Sequence, residues 1–463
     1  MGAPDFDHLP VAVHARLPPG TSTGRSLRGI LPRPRSPAGP RESARDELAG
    51  GAFITMNAVS TARTSRESVE PGGRVPALDG VRGVAILLVI VYHYAALVKT
   101  DGTLVERSLY RVTGVGWAGV DLFFVLSGFL ITSILYDSKA RAQYYFRNFY
   151  VRRALRIFPI YYVFLVALIV VIPLVAPAQR IAAEVVSDKV IWYATYLTNV
   201  KLDTEPLRTT DFLLSGHLWS LAVEEQFYLV WPALVLLFDR RRLMAVCGLL
   251  VVWGFVLRIG MDVAGAGRYV TYEITPSRID TLAVGALIAL AFREPRDFAL
   301  LRRWAGPVAA PSAVAVVVLF FTTPSFSAYD FWVQVVGLSA LALLFGAVVL
   351  RAITANEGTT AHRVFTNSAL RWLGKYSYAI YLFHWPIAAM LARQSDIPGS
   401  MPSFLGTELP GALAFIAAAG AMTLGAAWVS WQVWESQFLK LKRLFPYGNR
   451  TAVRIGEGAT PAA

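Results

Sequence analysis

The stretch "DGVRGVAILLVIVYHYAAL" (79–97) decides how this chain is read. It is an apolar run of helical length that admits two basic residues, Arg82 at its start and His93 eleven positions later. At 1.5 Å per residue they stand roughly 16 Å apart, about half the hydrocarbon thickness of a bilayer. A segment that dissolves in lipid therefore carries a titratable imidazole near its middle. Such a group is costly in lipid and faces a cavity or the interior of a helix bundle.

The composition places the whole chain in the same setting. Of 463 residues, 55% are hydrophobic and only 16% charged, and the mean hydropathy is +0.47. Soluble domains carry nearer a quarter of charged residues. Twelve Trp and 19 Tyr suit two interfacial belts. The single cysteine, Cys247, lies in an apolar run, which excludes an internal disulfide and a cysteine-based metal site. The formal charge of +13 alternates with apolar spans instead of forming one basic domain, so it speaks for lipid headgroups and an anionic substrate over nucleic acid.

Working outward, ten apolar segments of spanning or near-spanning length follow residue 80: about 80–98, 117–136, 157–176, 219–238, 243–261, 279–293, 306–323, 331–350, 376–392 and 411–434. The 279–293 segment is short. "VIWYATYLTNV" (190–200) is too short to cross and is expected in the interface or as a cap on the bundle. With the N-terminus inside, the cytoplasmic regions hold 22 Lys and Arg against 11 in the opposite loops, counting 258–278 among the latter. That bias satisfies the positive-inside rule, with both termini cytoplasmic. The predicted fold is an all-α polytopic membrane protein of about ten transmembrane helices.

Three regions are expected: an Arg-, Pro- and Ser-rich tail over 1–75, a transmembrane domain over 76–438 and a basic cytoplasmic tail over 439–463. The first tail lacks apolar periodicity and reads as disordered. It has no signal-peptide core, its acidic residues argue against a transit peptide, and Met56 stands as an alternative start.

Further polar residues lie at membrane depth. In "WAGVDLFFVLSGFLITSILY" (117–136), Asp121 and Ser127 interrupt an aromatic span, while Gly119 and Gly128 allow close helix approach. Ser127–Gly128 also reads as plain packing; Asp121 needs a partner or a wet cavity. In "YVRRALRIFPIYY", Arg153 and Arg156 share one face at i, i+3 at a helix entrance, a position suited to a phosphate-bearing ligand. In "SGHLWSLAVEEQFYLVWPALVLLF" (215–238), His217, Ser220, Glu224, Tyr228 and Trp231 share one helical face. Glu224 is thus expected to face a cavity and Glu225 to tether another helix.

These residues together with "RIDTLAVGAL" and "YSYAIYLFHWP" resemble the membrane-bound acyltransferase 3 family, whose members include bacterial O-antigen O-acetyltransferases and macrolide O-acyltransferases. The likeness runs from about 76 to 435, in six blocks in the right order, with ten residues between the arginine and the histidine of the first. Many relatives carry a second, extracytoplasmic hydrolase-like domain, whereas after 450 only a short tail is read here. The resemblance implies transfer of an acyl group, commonly acetyl from coenzyme A, to a hydroxyl of a carbohydrate or natural product. It implies an essential His93, a matching Arg82, donor contacts from Arg153 and Arg156, and a glutamate pair at Glu224 and Glu225. Arg278 with Asp280, and His384 of the last block, fall on family positions as supporting residues, and Tyr381 of the same block is taken as a further supporting residue.

The chemistry agrees. A sugar hydroxyl is a poor nucleophile until its proton is taken, and imidazole has a pKa near working pH. Glu224 or Asp121 is expected to orient His93 and stabilise its imidazolium. The arginines would fix the phosphates of acyl-CoA, which serves as donor substrate; no permanent cofactor and no metal are expected. The expected partners are acyl-CoA, a carbohydrate or glycosylated acceptor and the lipid bilayer, without nucleic acid; the expected location is the plasma membrane. An envelope or exported glycan is the first acceptor, a macrolide or other secondary metabolite the alternative. Two other classes bury similar polar residues: a proton-coupled secondary transporter and a scaffold. No repeat between the two halves is visible, and thioester consumption separates an enzyme from both.

Overall fold

The protein is described by a computed structural model over residues 75–98, 102–140, 143–175, 184, 186–200, 214–394 and 407–447. The expected N-terminal tail (1–74 of it) and residues 448–463 of the C-terminal tail lie outside the described residues. The described residues are helical, with no β-strand among them. Nine helical rods among them are long and apolar enough to cross a membrane, and they match nine of the ten expected spans. The exception is the expected 376–392 span. It lies in a 27-residue helix, Ser368–Gln394, that is long enough but less apolar. Its Tyr376, Ser377, Tyr381 and His384 side chains are buried among other helices.

Four elements position the site. Helix α1 (Pro76–Leu97) starts at a proline, whose missing N–H costs nothing in a first turn. Helix α2 (Leu104–Thr113) opens with a capping box, in which Thr103 and Glu106 bond each other's backbone N–H. A tight turn at Gly114–Ala118 joins it to α3 (Gly119–Lys139), so the expected 117–136 span begins well before Trp117. Helix α4 (Tyr145–Val166) carries the arginine pair and continues past a π-turn at Ala167–Val171. The 190–200 segment forms the short helix α5 (Val190–Ala194) and turns, capping α4 through Tyr161 Oη to the Tyr193 carbonyl at 2.8 Å. Helix α6 (Trp219–Leu237) holds the glutamate pair and α7 (Arg240–Val263) follows directly.

The short expected span becomes α8 (Arg268–Glu273) and α9 (Thr275–Ala291), which start earlier than the apolar run because Arg278 and Asp280 are internal to the bundle. Helix α10 (Pro295–Thr322) is the most exposed rod, and α11 (Leu338–Thr354) packs between it and the core. After the short α12 (Thr360–Phe365), the Ser368–Gln394 helix, α13, lies along α1. Helix α14 (Leu409–Ser430) closes the set, and α15 (Ser436–Lys440) extends it to Leu444, so helix runs past the boundary expected at 438.

Glycine sets the closest approaches. A β-carbon at Gly83 would collide with the Leu370 carbonyl of α13, and one at Gly374 with the Asp79 carbonyl of α1. The same reciprocal arrangement joins α3 and α9 through Gly128 and Gly285. Small residues at such crossings let backbones touch where lipid offers no hydrophobic drive. The expected packing role of Gly128 is the one it has.

Candidate active site

A cavity of about 810 Å³, counting the open space at its mouth, lies between α1, α3, α4, α6 and α13. One end is cationic: Arg82, Arg153 and Arg156 all line it. Arg82 rests against Asp79 at 3.2 Å, one turn back on α1. Arg153 stacks its guanidinium over the Tyr228 ring at 4.9 Å. The three arginines face one another electrostatically, and among the described residues neither Arg153 nor Arg156 forms a salt bridge. Beside them on α4, Arg152 donates to the Lys442 carbonyl of the C-terminal segment at 2.7 Å.

Both glutamates line the cavity. Glu224 faces the Ser127 hydroxyl, Tyr228, Arg153 and Arg82, as expected of a cavity carboxylate. Glu225, expected to tether a neighbouring helix, opens to the same cavity and faces Arg153 and the Tyr161, Tyr162 and Tyr378 hydroxyls. Adjacent positions on a helix are about 100° apart, and a cavity this wide accepts both. Ser127 hydrogen-bonds Tyr228, which brings α3 to α6. Tyr378 and Ser377 line the wall without having been singled out; Tyr378 lies one turn before Tyr381, a spacing that signals a shared face.

The far end is bounded by Tyr381, whose hydroxyl bonds Ser220 Oγ at 2.5 Å and the His217 carbonyl at 2.8 Å. Beyond it three histidines meet. His384 and His217 have ring centroids 5.2 Å apart, and His384 Nε2 lies 2.9 Å from His93 Nδ1. His217 also faces the Leu382 carbonyl, which Pro386 leaves without its usual helical donor. His93 itself is half-buried, with Tyr92 and Trp385 against its ring, and does not line the cavity. No group of three His, Cys, Asp or Glu among the described residues is arranged to hold a metal ion.

Asp121 is placed differently from the expectation that it orients His93. Its Oδ1 accepts from Arg278 Nη2 at 2.6 Å, and both side chains are 0% exposed. Asp280 pairs not with Arg278 but with Arg258 of α7 at 2.8 Å. Residues two apart on a helix point to different sides, so Arg278 and Asp280 reach different neighbours. Arg258 was missed; a charge inside "VVWGFVLRIG" was its signal. Arg258 and Arg278 are also helix residues inside the bundle, so neither weighs as a loop cation.

The family profile described as an acyltransferase domain matches residues 75–431. The chain belongs to the acyltransferase 3 family. This acyltransferase domain is 30% identical over 335 residues to the Bacillus subtilis protein named "Putative peptidoglycan O-acetyltransferase YrhL", covering 70% of this chain and 50% of that one. It is 29% identical over 367 residues to the peptidoglycan O-acetyltransferase OatA of Listeria monocytogenes, covering 74% of this chain and 54% of the relative. The chain thus spans about half the length of the relatives it matches. No solved structure matches it. The acyltransferase domain is a multi-pass membrane protein.

Proposed function

We propose that this protein is a membrane O-acyltransferase that moves an acyl group, acetyl first, from coenzyme A to a hydroxyl of a cell-wall glycan. One observation carries the reading: a single cavity joins three arginines at a helix-bundle mouth to a polar wall that ends against a cluster of histidines. Two of the arginines have no carboxylate ion partner among the described residues. Planar guanidiniums outside any salt bridge suit phosphates, which they bind bidentately. The peptidoglycan O-acetyltransferases among the relatives supply the acceptor class.

In this reading the donor enters from the cytoplasmic, arginine end and its thioester runs inward past Glu224. The acceptor hydroxyl approaches His93 from the opposite side, where the imidazole keeps some exposure. Tyr381 stands between the two, and its side chain must leave its bonds to Ser220 and the His217 carbonyl for the acyl carbon to reach His93. His93 takes the hydroxyl proton as the oxygen bonds the acyl carbon; the C–S bond breaks, and the thiolate takes that proton to leave as thiol. Glu224, beside the arginines, acts on the donor side.

The test is acetyl-CoA consumption by the purified protein in nanodiscs with a soluble peptidoglycan fragment as acceptor. His93→Gln keeps a hydrogen-bonding side chain but cannot take a proton at working pH. It is expected to lower turnover at least about 10²-fold while coenzyme A binding is unchanged. Near-normal turnover in His93→Gln would overturn the base assignment.

A further inference from the structure

We infer that His384 is a positioning residue that fixes the tautomer of His93, leaving Nε2 of His93 as the nitrogen able to take a proton. The inference rests on the general-base reading of His93 for its meaning, but its geometry stands apart from that reading.

One chain of hydrogen bonds fixes the protons on both rings. His384 Nδ1 lies 2.6 Å from the Tyr381 carbonyl oxygen. A carbonyl only accepts, so Nδ1 of His384 carries a hydrogen. A neutral imidazole has one N–H, which leaves Nε2 of His384 as a lone pair. That lone pair faces His93 Nδ1 at 2.9 Å, so His93 Nδ1 must be the donor. The Val89 carbonyl, one turn back on α1, also faces the His93 ring and can likewise only accept. Nε2 of His93 is then the unprotonated nitrogen.

The reverse arrangement needs His384 doubly protonated. His384 is 0% exposed, and no carboxylate among the described residues hydrogen-bonds it. The titratable groups around the pair are His217, Tyr92, Tyr94 and Tyr381, none of them a carboxylate. A buried imidazolium without such a partner is strongly disfavoured. His384 therefore fills the place expected of Glu224 or Asp121: it accepts the Nδ1–H of the base and stabilises the imidazolium that forms, as an acid does in a hydrolase triad. The carbonyl of Tyr381 orients His384 in turn, so the residue that bounds the cavity also anchors the chain.

Two measurements test this. In protein labelled with ¹⁵N-histidine, the His93 signals, assigned by their loss in His93→Gln, are expected to show a protonated Nδ1 and an unprotonated Nε2. The opposite tautomer overturns the inference whatever the activity. In kinetics, His384→Phe keeps a ring but removes the acceptor, and it is expected to lower kcat about 10²-fold with the KM for acetyl-CoA unchanged. His384→Gln restores an acceptor near the same place and is expected to recover most of that loss. Equal loss in Phe and Gln variants, or normal kcat in His384→Phe, overturns the positioning role. If His93→Gln retains turnover while the wild-type tautomer is as stated, the base reading fails and the hydrogen-bond chain stands.

Discussion

Among the charged side chains inside this helix bundle, two groups are built on opposite plans. Asp121–Arg278 and Asp280–Arg258 are sealed pairs at 2.6 and 2.8 Å, with side chains 1% exposed or less. Arg258 is further held by the Ser277 carbonyl and Ser339 Oγ. Arg82, Arg153 and Arg156 instead face each other across an open cavity, and of these three only Arg82 has a salt bridge within the described residues, to Asp79. Clustered like charges destabilise a fold unless something else offsets them. The first group joins helices; the second lines a cavity, with Glu224 and Glu225 as its nearest opposite charges.

The largest effect expected from this contrast is on stability. Arg278→Leu leaves Asp121 as a buried charge without its partner and should destabilise the protein by about 3–5 kcal/mol. Adding Asp121→Leu should return most of that loss, since an apolar pair of similar volume replaces a buried ion pair at little cost. Unfolding in detergent measures both, and a double variant as unstable as the single one would break the contrast.

Next in size is an effect on affinity. Arg153→Ala and Arg156→Ala should each weaken coenzyme A binding about tenfold or more, because hydrogen bonds to charged groups contribute about 1.5–3 kcal/mol. Lys at either place should rescue only partly, lacking the planar fork. Their unfolding midpoints should not fall. Calorimetric titration and a thermal melt on the same samples check the pair of expectations; unchanged affinity would assign both arginines to the membrane interface alone. The smallest effect marks the neutral end of the scale. Trp231 donates to Thr132 Oγ1 at 2.8 Å between α6 and α3. Trp231→Phe should cost about 1 kcal/mol in stability and leave donor binding untouched.

Periodicity and hydropathy locate the spans because both are local. They also bring Glu224 to the cavity wall, since a helical face can be read from i+3 and i+4 neighbours, but the helix entrance expected at Arg153 and Arg156 lies earlier, at Tyr145. What they cannot supply is the partner across a helix crossing. Asp121 meets Arg278 from 157 residues away, and His93 meets His384 from 291. The choice of Asp121 as orienter of His93 failed for that reason: its charge was visible, its neighbour was not. The Ser368–Gln394 helix shows a related limit. Its tyrosines and histidine lower its hydropathy because they face the interior of the bundle, so a central wall of the cavity is the long helix that hydropathy alone passes over.

The glycine contacts between α1 and α13 have a consequence for how such a protein can diversify. His93 and His384 ride on two helices whose backbones touch at Gly83 and Gly374, so their mutual spacing is set by main chain and not by side-chain packing. The residues that shape the cavity wall come largely from α3, α4 and α6. Substitutions there can reshape the cavity while the two histidines keep their alignment, so a lineage is free to change what the cavity holds without disturbing the helix crossing.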